Sequence, residues 1–334
     1  MVQLVLKGSD TINPLWDPIR LAREAGLARP TNLYRGHFVC VDGFGPNSPE
    51  ERAAGLPMHG EAQTLTWALD SFRKENATTS AAFSVTLPLV QEVLHRTYRV
   101  VDGENVVWVD SELQSLLGFD RPVFWGEHAT VGAPFLEPGK VVVDMPVEKA
   151  QTKGYQMQGG ATTRRLPPLV DFVWPMAPTR DGGTLDIRSA PLTPGELEHT
   201  TSLLDTTRRL VFVTALNVEK NLVIGWVFRR QEYPWVQTWL SYPAENRMVR
   251  GLEFATQPYD LPRSEVLTSG PLFGQPVFRI LPAKSKISSS FLMFYTRVPN
   301  GFKKVDDVRL DAGTLTIEDR GSRQTVRLAA SRNL

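Results

Sequence analysis

The sequence predicts an all-β protein built from antiparallel strands, and three observations support this fold class. Short runs rich in β-branched and aromatic residues recur along the chain, several of them with alternating apolar and polar positions. The 25 prolines and 25 glycines are spread over the 334 residues, which favours many short elements separated by turns. Long amphipathic helical patterns are scarce. We therefore expect a large antiparallel β structure with few short helices.

Ten runs predict strands, and they lie at residues 83–87, 99–101, 106–109, 140–143, 210–215, 222–229, 277–281, 291–298, 314–318 and 324–328. Three segments predict helices, at 17–25, 49–54 and 194–205. In the third segment Thr193 can serve as the N-cap, and Pro194 suits the first helical position because it lacks an N–H.

The domain organisation predicted from the sequence is a single domain over residues 1–334. No segment repeats at a fixed period and no low-complexity linker occurs, and a β sandwich of this size needs many strands to close one core. If the chain were divided, the loop-like region 148–165, which contains Gly154, Gly159 and Gly160, is the place where a boundary is expected.

The charge balance indicates what kind of partner to expect. Lys and Arg number 37 against 36 Asp and Glu, so no basic excess indicates binding to nucleic acid. This balance favours a neutral or polar small molecule as ligand. The single cysteine, Cys40, excludes an internal disulfide framework and a multi-cysteine zinc site.

The expected location is the cytoplasm, with a trimmed secretory leader as an open alternative. The first residues have neither the apolar length nor the cleavage site of a signal peptide, and no run of about 18 apolar residues predicts a membrane span. The oligomeric state is not predicted.

The stretch at 124–136 reads FWGEHATVGAPFL and places His128 among aromatic and small residues, including Trp125 and Phe135. Histidine is the side chain best suited to proton transfer near neutral pH, and aromatic faces can line a ligand pocket. A core histidine with both ring nitrogens satisfied is the alternative.

The stretch at 55–67 reads GLPMHGEAQTLTW and contains His59, Gly60 and Trp67. A glycine beside a histidine lets the backbone approach a bound molecule, and an indole offers a flat face for stacking on sugar C–H groups. The alternative is a turn before a strand, with His59 partly exposed.

The stretch at 250–260 reads RGLEFATQPYD and places Glu253 between Leu252 and Phe254. An unpaired carboxylate in such apolar surroundings is unfavourable unless a ligand or a donor uses it, so Glu253 is a candidate base. Alternatively, Glu253 lies on the outward face of a strand with Arg250 as its partner. Aromatic residues just before this stretch, among them Trp239, suit either a sugar platform or a core.

The order of these motifs resembles the galactose mutarotase-like superfamily, which includes the aldose 1-epimerases. The shared pattern is His-Gly-x-Ala-x-x-x-x-Trp, then a His followed by Pro-Phe-Leu, then Gly-x-Glu. It covers about residues 10–300. Gln63 stands where the family usually has arginine, and the Asn-His-x-Tyr-Phe form around the second histidine is replaced at 127–130 by EHAT. The chain therefore resembles a divergent branch of the family.

The resemblance implies a large antiparallel β supersandwich that binds a small-molecule carbohydrate in an open concave face. Glu253 would remove the proton from the O1 hydroxyl, and His128 would protonate the ring oxygen, so that the ring opens and the anomers interconvert. Ordinary pKa values of about 4.3 and 6.5 then predict a mildly acidic optimum. No metal or organic cofactor is implied. The residues implied in substrate binding are His59, Gln63, Trp67, Trp125 and Trp239.

Three alternatives remain open. The first is a non-catalytic carbohydrate-binding protein on the same fold, which the missing arginine favours. The second is a glycoside hydrolase or lyase with Glu127 or Asp171 as second carboxylate. The third is zinc held by His59, His128 and Glu253, which lacks the short local spacing of most metal motifs.

Two expectations follow for the site. His59, His128 and Glu253 should converge on one open cleft. Because Gln63 carries no charge, sugar phosphates should bind no better than the parent sugars, unless Arg35 or Arg247 substitutes for the family arginine.

Overall fold

The computed structural model describes residues 1–6, 12–30, 34–153, 165–245 and 247–334. In these ranges the chain is mostly antiparallel β sheet, which confirms the predicted fold class. The helices described are short: α1 (Pro18–Glu24), α2 (Pro49–Ala53), α3 (Arg263–Thr268) and one 3-10 turn (Glu61–Gln63). None of these described helices has the length and apolar character needed to cross a membrane.

The strands follow one another along the chain. The first are β1 (His37–Val41), β2 (Ala68–Glu75), β3 (Thr78–Leu87), β4 (Glu92–Val101), β5 (Val106–Ser115), β6 (Arg121–Val123), β7 (Trp125–Gly132) and β8 (Val141–Asp144). The next are β9 (Val147–Thr152), β10 (Asp171–Phe172), β11 (Met176–Pro178), β12 (Thr184–Asp186), β13 (Glu196–Leu204), β14 (Leu210–Asn217) and β15 (Leu222–Arg229). The last are β16 (Trp235–Tyr242), β17 (Val249–Ala255), β18 (Arg279–Leu281), β19 (Lys286–Arg297), β20 (Asp307–Asp311), β21 (Thr314–Asp319) and β22 (Gln324–Ala329).

Two large sheets form the sandwich. One has seven strands in the order β1-β7-β17-β16-β13-β9-β10, and the other has eight in the order β2-β3-β4-β5-β19-β15-β14-β8. Their facing sides share the main hydrophobic core, in which Phe254 of β17 stacks on Phe228 of β15 with ring centroids 4.3 Å apart. Burial of this apolar surface is the main force that holds the two sheets together.

A second core lies on the other face of the eight-stranded sheet. There the three-stranded sheet β20-β21-β22 covers Trp108, Phe212 and Phe294 with residues such as Leu315 and Ile317. The strands β5, β19, β15 and β14 of the eight-stranded sheet are thus buried on both faces, whereas β2 at its edge is mostly exposed. The single domain over 1–334 stays a prediction, and Gly154, Gly159 and Gly160 of the possible boundary lie outside the described residues.

Each of the ten predicted runs overlaps a strand, and the helices predicted at 17–25 and 49–54 are confirmed by α1 and α2. The helix predicted at 194–205 is wrong, because this segment forms β13 between β9 and β16. Its centre, Thr200, Thr201 and Ser202, suits a pleated strand better than a helix, and pairing on both sides decides the outcome.

Candidate functional site

The face of the seven-stranded sheet that is turned away from the eight-stranded sheet borders an open cavity of about 1140 Å³. His59, His128 and Glu253 all line it, although they are far apart in the sequence. The structure therefore brings together the three residues that we expected to converge. The polar part of the cavity also includes Thr130, His199 and Asp260, and its aromatic lining includes Tyr34, Phe38 and Trp239.

Strand register explains how these side chains meet. In the pairing of β7 with β17, His128 lies directly opposite Glu253, and in the pairing of β1 with β7, Phe38 lies opposite His128. Gln237 of β16 follows on the other side of Glu253. Because directly paired residues project from the same face of a sheet, this register sets Phe38, His128, Glu253 and Gln237 in one row.

The central contact of the row joins an acid and an imidazole. His128 Nε2 lies 3.3 Å from Glu253 Oε1, and His128 Nδ1 lies 2.8 Å from Thr130 Oγ1. The ring of Phe38 stacks on the imidazole with centroids 4.4 Å apart. Since both ring nitrogens have partners and one ring face is covered, the orientation of His128 is well defined.

Burial controls the protonation of this pair. It raises the pKa of Glu253 well above its ordinary value, and the nearby Asp260 acts in the same direction while Lys153 opposes it. Burial likewise lowers the pKa of His128 well below its ordinary value, with His59 adding to the effect. Both shifts favour the uncharged forms, in which Glu253 carries a proton and His128 is neutral, so the pair then holds one proton, and the 3.3 Å contact places the two groups for its exchange. Such a pair can accept a proton from one ligand atom and donate one to another.

His59 is held as a hydrogen-bond donor toward the cavity. Its Nδ1 accepts a hydrogen bond from the backbone N–H of Gly45 at 3.1 Å, so the neutral ring carries its proton on Nε2. Burial lowers the pKa of His59 to about 4, which keeps the ring neutral at pH 7. The tight turn that presents His59 requires glycine at the next position, because Gly60 has a φ of 80° and a Cβ there would overlap with Val41 O.

A second polar group, which sequence reasoning missed, borders the site. Asp260 Oδ1 lies 3.0 Å from Lys153 Nζ, and Asp260 Oδ2 lies 3.6 Å from His199 Nδ1. Lys153 Nζ also donates to Gln237 Oε1 at 2.7 Å, which links this group to the row of Glu253. Asp260 is the last residue of the stretch 250–260 that contains Glu253, so its position in the sequence was a usable signal. His199 lies in the segment 194–205, which was wrongly predicted to be a helix, and no signal pointed to it.

Of the other four candidates for substrate binding, Gln63, Trp67, Trp125 and Trp239, one lies at the cavity and three do not. The described cavity lining includes Trp239 but not Trp67, Trp125 or Gln63. Trp125 is 0% exposed and donates its indole N–H to Glu127, while Trp67 donates to Ala62 O at 2.8 Å. Trp125 precedes His128 by an odd number of residues in β7, so strand alternation directs it to the core. The positions of Trp67 and Trp125 thus do not support the expected stacking roles.

Gln63 donates to Met58 O at 3.1 Å. The described lining includes Arg247, exposed beside Glu245, but not Arg35. The expectation that sugar phosphates bind no better than the parent sugars stays a prediction. Of the two arginines considered as substitutes, Arg247 is the one that lines the cavity and could pair with a phosphate.

Neither carboxylate proposed for a hydrolase lies at the cavity. Glu127 is fully buried on the core side of β7, where Arg96 and His37 hydrogen-bond to it, and Asp171 is exposed on β10, where it accepts from Gln151. Among the residues that the structure describes, no group of three or more His, Cys, Asp and Glu side chains is arranged to hold a metal ion. The titratable side chains that the structure does bring together at the cavity are His59, His128 and Glu253, with His199 and Asp260 beside them.

Gly251 makes room for the carboxylate of Glu253. The two residues are two positions apart in β17 and so lie on the same face of the strand, and a Cβ at position 251 would overlap with Glu253 Oε1. The φ of Gly251 is not in the left-handed region, so space and not backbone conformation requires glycine. We expect Gly251→Ala to lower the melting temperature by displacing the carboxylate. In a Glu253→Ala background the same change should be neutral or stabilising, because alanine is favoured over glycine in a strand by roughly 0.5–1 kcal/mol.

Thermal denaturation of the two single variants and the double variant measures this dependence. Gly225→Ala is the matched control, since its Cβ would overlap with Phe294 and its effect should not depend on residue 253. If Gly251→Ala changed the melting temperature equally in the wild type and in Glu253→Ala, glycine at position 251 would not be required by the Glu253 carboxylate.

Comparison with solved structures shows that the chain has the galactose mutarotase-like fold. No family model matches the chain, and no curated protein matches it. Solved structures do. A "putative aldose 1-epimerase" from Klebsiella pneumoniae has a TM-score of 0.57 at 14% identity over 78% of this chain, and the match spans 62% of that protein's length.

Two further neighbours have the same fold over most of their length. A galactose mutarotase-like protein from Clostridium acetobutylicum has a TM-score of 0.54 at 13% identity and covers 78% of this chain and 79% of its own. A galactose mutarotase-like protein from Lactobacillus casei has a TM-score of 0.53 at 14% identity, with 85% and 90% covered. At these identities the likeness shows the fold alone.

Proposed function

We propose that this protein is an isomerase of the mutarotase type, which interconverts the α and β anomers of a sugar bound in the cavity. The observation that carries the proposal is the pair His128 and Glu253, with Nε2 and Oε1 3.3 Å apart on the cavity wall. The proposal includes a small carbohydrate as ligand, no nucleic-acid partner and a cytoplasmic location.

The chemistry needs only proton transfers. The carboxylate of Glu253 removes the proton from the O1 hydroxyl while the imidazolium of His128 protonates the ring oxygen, and the C1–O5 bond breaks to give the open-chain aldehyde. Rotation about C1–C2 presents the other face of the carbonyl, and the reverse proton movements close the ring. Each positioned acid or base accelerates such a step by about 10²–10⁴-fold.

The neutral pair and the reactive ion pair contain the same number of protons. A proton that moves from Glu253 to His128 converts the buried neutral form into the form that reacts, so a raised carboxyl pKa and a lowered imidazole pKa are compatible with the mechanism. His59 donates a hydrogen bond from Nε2 to a sugar oxygen, and Trp239 offers a face for stacking.

The pH dependence of kcat/KM should reflect this burial. At low pH both groups are protonated and the base is lost, and at high pH both are deprotonated and the acid is lost. Because the pKa of His128 is lowered and that of Glu253 is raised, we expect a plateau that includes neutral pH, instead of the mildly acidic optimum predicted from ordinary values. Rates measured from pH 4 to 10 test this, and a maximum confined to about pH 4.3–6.5 would contradict it.

The experiment that tests the function is anomer exchange, followed by NMR or polarimetry on a panel of aldoses, with calorimetry on the same sugars. We expect at least one sugar both to bind and to exchange faster than the buffer rate. Binding without exchange across the panel would replace the proposal with the second candidate, a carbohydrate-binding protein, which the uncharged Gln63 at the family's arginine position favours.

A further inference from the structure

The cavity continues well beyond the His128 and Glu253 pair. Thr130 and Gly132 follow His128 on the same face of β7, and Trp16 lies over Gly132, where a Cβ would overlap with the indole. Four residues of an antiparallel strand extend about 14 Å, at about 3.4 Å per residue. Trp16 lines the same cavity as the pair. A single pyranose at the pair spans only about half of this length, so it leaves the far part of the cavity unfilled.

The far wall is apolar. It is formed by Trp16 and by residues of α1 and the segment after it, and it includes Pro18, Leu21, Ala25, Leu27 and Pro30. Leu27 is 64% exposed, and together with Leu21, Ala25 and Pro30 it adds apolar surface to this end of the cavity. Within α1 and the segment after it, Glu24 is the charged side chain of the described lining, and it pairs with Arg20. Two further charged residues of the lining, Glu245 and Arg247, belong to the segment just before Val249, which pairs with Gly132.

The wall is attached to the strand that carries His128. The backbone N–H of Trp16 donates to Thr130 O at 2.9 Å, and the Arg20 guanidinium donates to Ala133 O at 3.0 Å. Asp17 caps the first turn of α1 by accepting a hydrogen bond from the Arg20 backbone N–H. The polar end and the apolar wall are therefore parts of one site.

The contrast between the two ends identifies the ligand by its chemistry. The cavity of about 1140 Å³ exceeds the roughly 300–1,000 Å³ that hold drug-sized ligands, and a lone hexose is much smaller than these. A second sugar unit lying against α1 would bring more hydroxyl groups to Pro, Leu and Ala side chains that cannot hydrogen-bond to them, so that only Glu245 and Arg247 at the edge of this end could serve as polar partners. An acyl or aryl group would instead be removed from water there.

We propose that the ligand is a reducing sugar that carries an apolar acyl or aryl group on a hydroxyl other than the anomeric one. This inference rests on the proposed function in one respect: ring opening requires the hydroxyl at C1 to be free. The sugar occupies the end with His59, His128 and Glu253, and the apolar group lies against Leu21 and Leu27. Burial of each methylene can tighten binding by up to about fourfold.

Calorimetry with the 3-O- and 6-O-hexanoyl esters of glucose, with glucose and with maltose tests the proposal on the full chain. We expect at least one ester to bind at least tenfold more tightly than glucose, and maltose to gain no such factor. Leu21→Asp and Leu27→Asp should each abolish the preference for the ester, so that ester and glucose bind with equal affinity. Leu192→Asp, at a leucine that is 76% exposed and outside the described lining, should preserve it.

Three outcomes would overturn the inference: no ester binds more tightly than glucose, the gain survives in either aspartate variant, or maltose gains as much as the esters. The last outcome would identify an oligosaccharide end as the ligand. Anomer exchange of the same compounds separates this inference from the proposed function. If an ester binds more tightly than glucose but no sugar exchanges its anomers, the apolar subsite is supported and the isomerase is rejected. If anomers exchange but no ester binds more tightly, the isomerase is supported and the apolar subsite is rejected.

Discussion

Glu253→Gln should reduce kcat/KM for anomer exchange by about 10²–10⁴-fold, because the amide has the shape of the carboxyl group but cannot accept the O1 proton. His128→Asn should have a similar effect through loss of the acid. Sugar affinity should change little in both variants, since shape and hydrogen-bonding reach are largely retained. NMR exchange rates and calorimetric binding constants on the same samples measure the two quantities separately.

The matched control for this pair is Asp171→Asn, which removes a carboxylate that is exposed on β10 and outside the described cavity lining. Its exchange rate should equal that of the wild type. Full activity in Glu253→Gln or in His128→Asn would remove the proposed acid and base roles. Equal losses in Asp171→Asn would point to a general effect of charge removal.

The second large effect is expected on stability, from Arg96→Met. Arg96 Nη1 donates to Glu127 Oε2 at 3.1 Å in the core between the two sheets, where Glu127 is fully buried. Burial alone raises the pKa of Glu127, but Arg96 and His37 hold it below its ordinary value, so the carboxyl group is ionised. Removal of Arg96 leaves a buried charge without its main partner, and we expect a loss of about 3–5 kcal/mol in the free energy of unfolding.

Urea denaturation at pH 7 measures this loss. Arg99→Met on the same strand is the control, since Arg99 pairs with Asp110 at a partly exposed position and its loss should change stability by only about 0–1 kcal/mol. The double variant Arg96→Met with Glu127→Gln should recover part of the loss because no buried charge remains. Similar values for Arg96→Met and Arg99→Met would show that the Glu127 contact is not the source of the effect.

The two sheets differ in how well the sequence predicted them. Seven of the ten predicted runs lie in the eight-stranded sheet, whereas none lies in the seven-stranded sheet that carries the site. The reason is visible in β7, where Glu127 and His128 are adjacent, and both are buried on opposite faces. When polar residues occupy the core face and the cavity face of one strand, the alternation of apolar and polar positions disappears.

By itself, the sequence determined the fold class and singled out His59, His128 and Glu253 as candidate site residues, because turns, strand propensity and unusual local surroundings of polar residues are properties of short segments. Only the tertiary structure decided that His128 faces Glu253, that Trp125 lies in the core while Trp239 lines the cavity, and that Asp260 and His199 belong to the site. Strand pairing joins segments distant in sequence, and burial depends on what covers each face, so neighbours and pKa values follow from register and packing that no single segment contains.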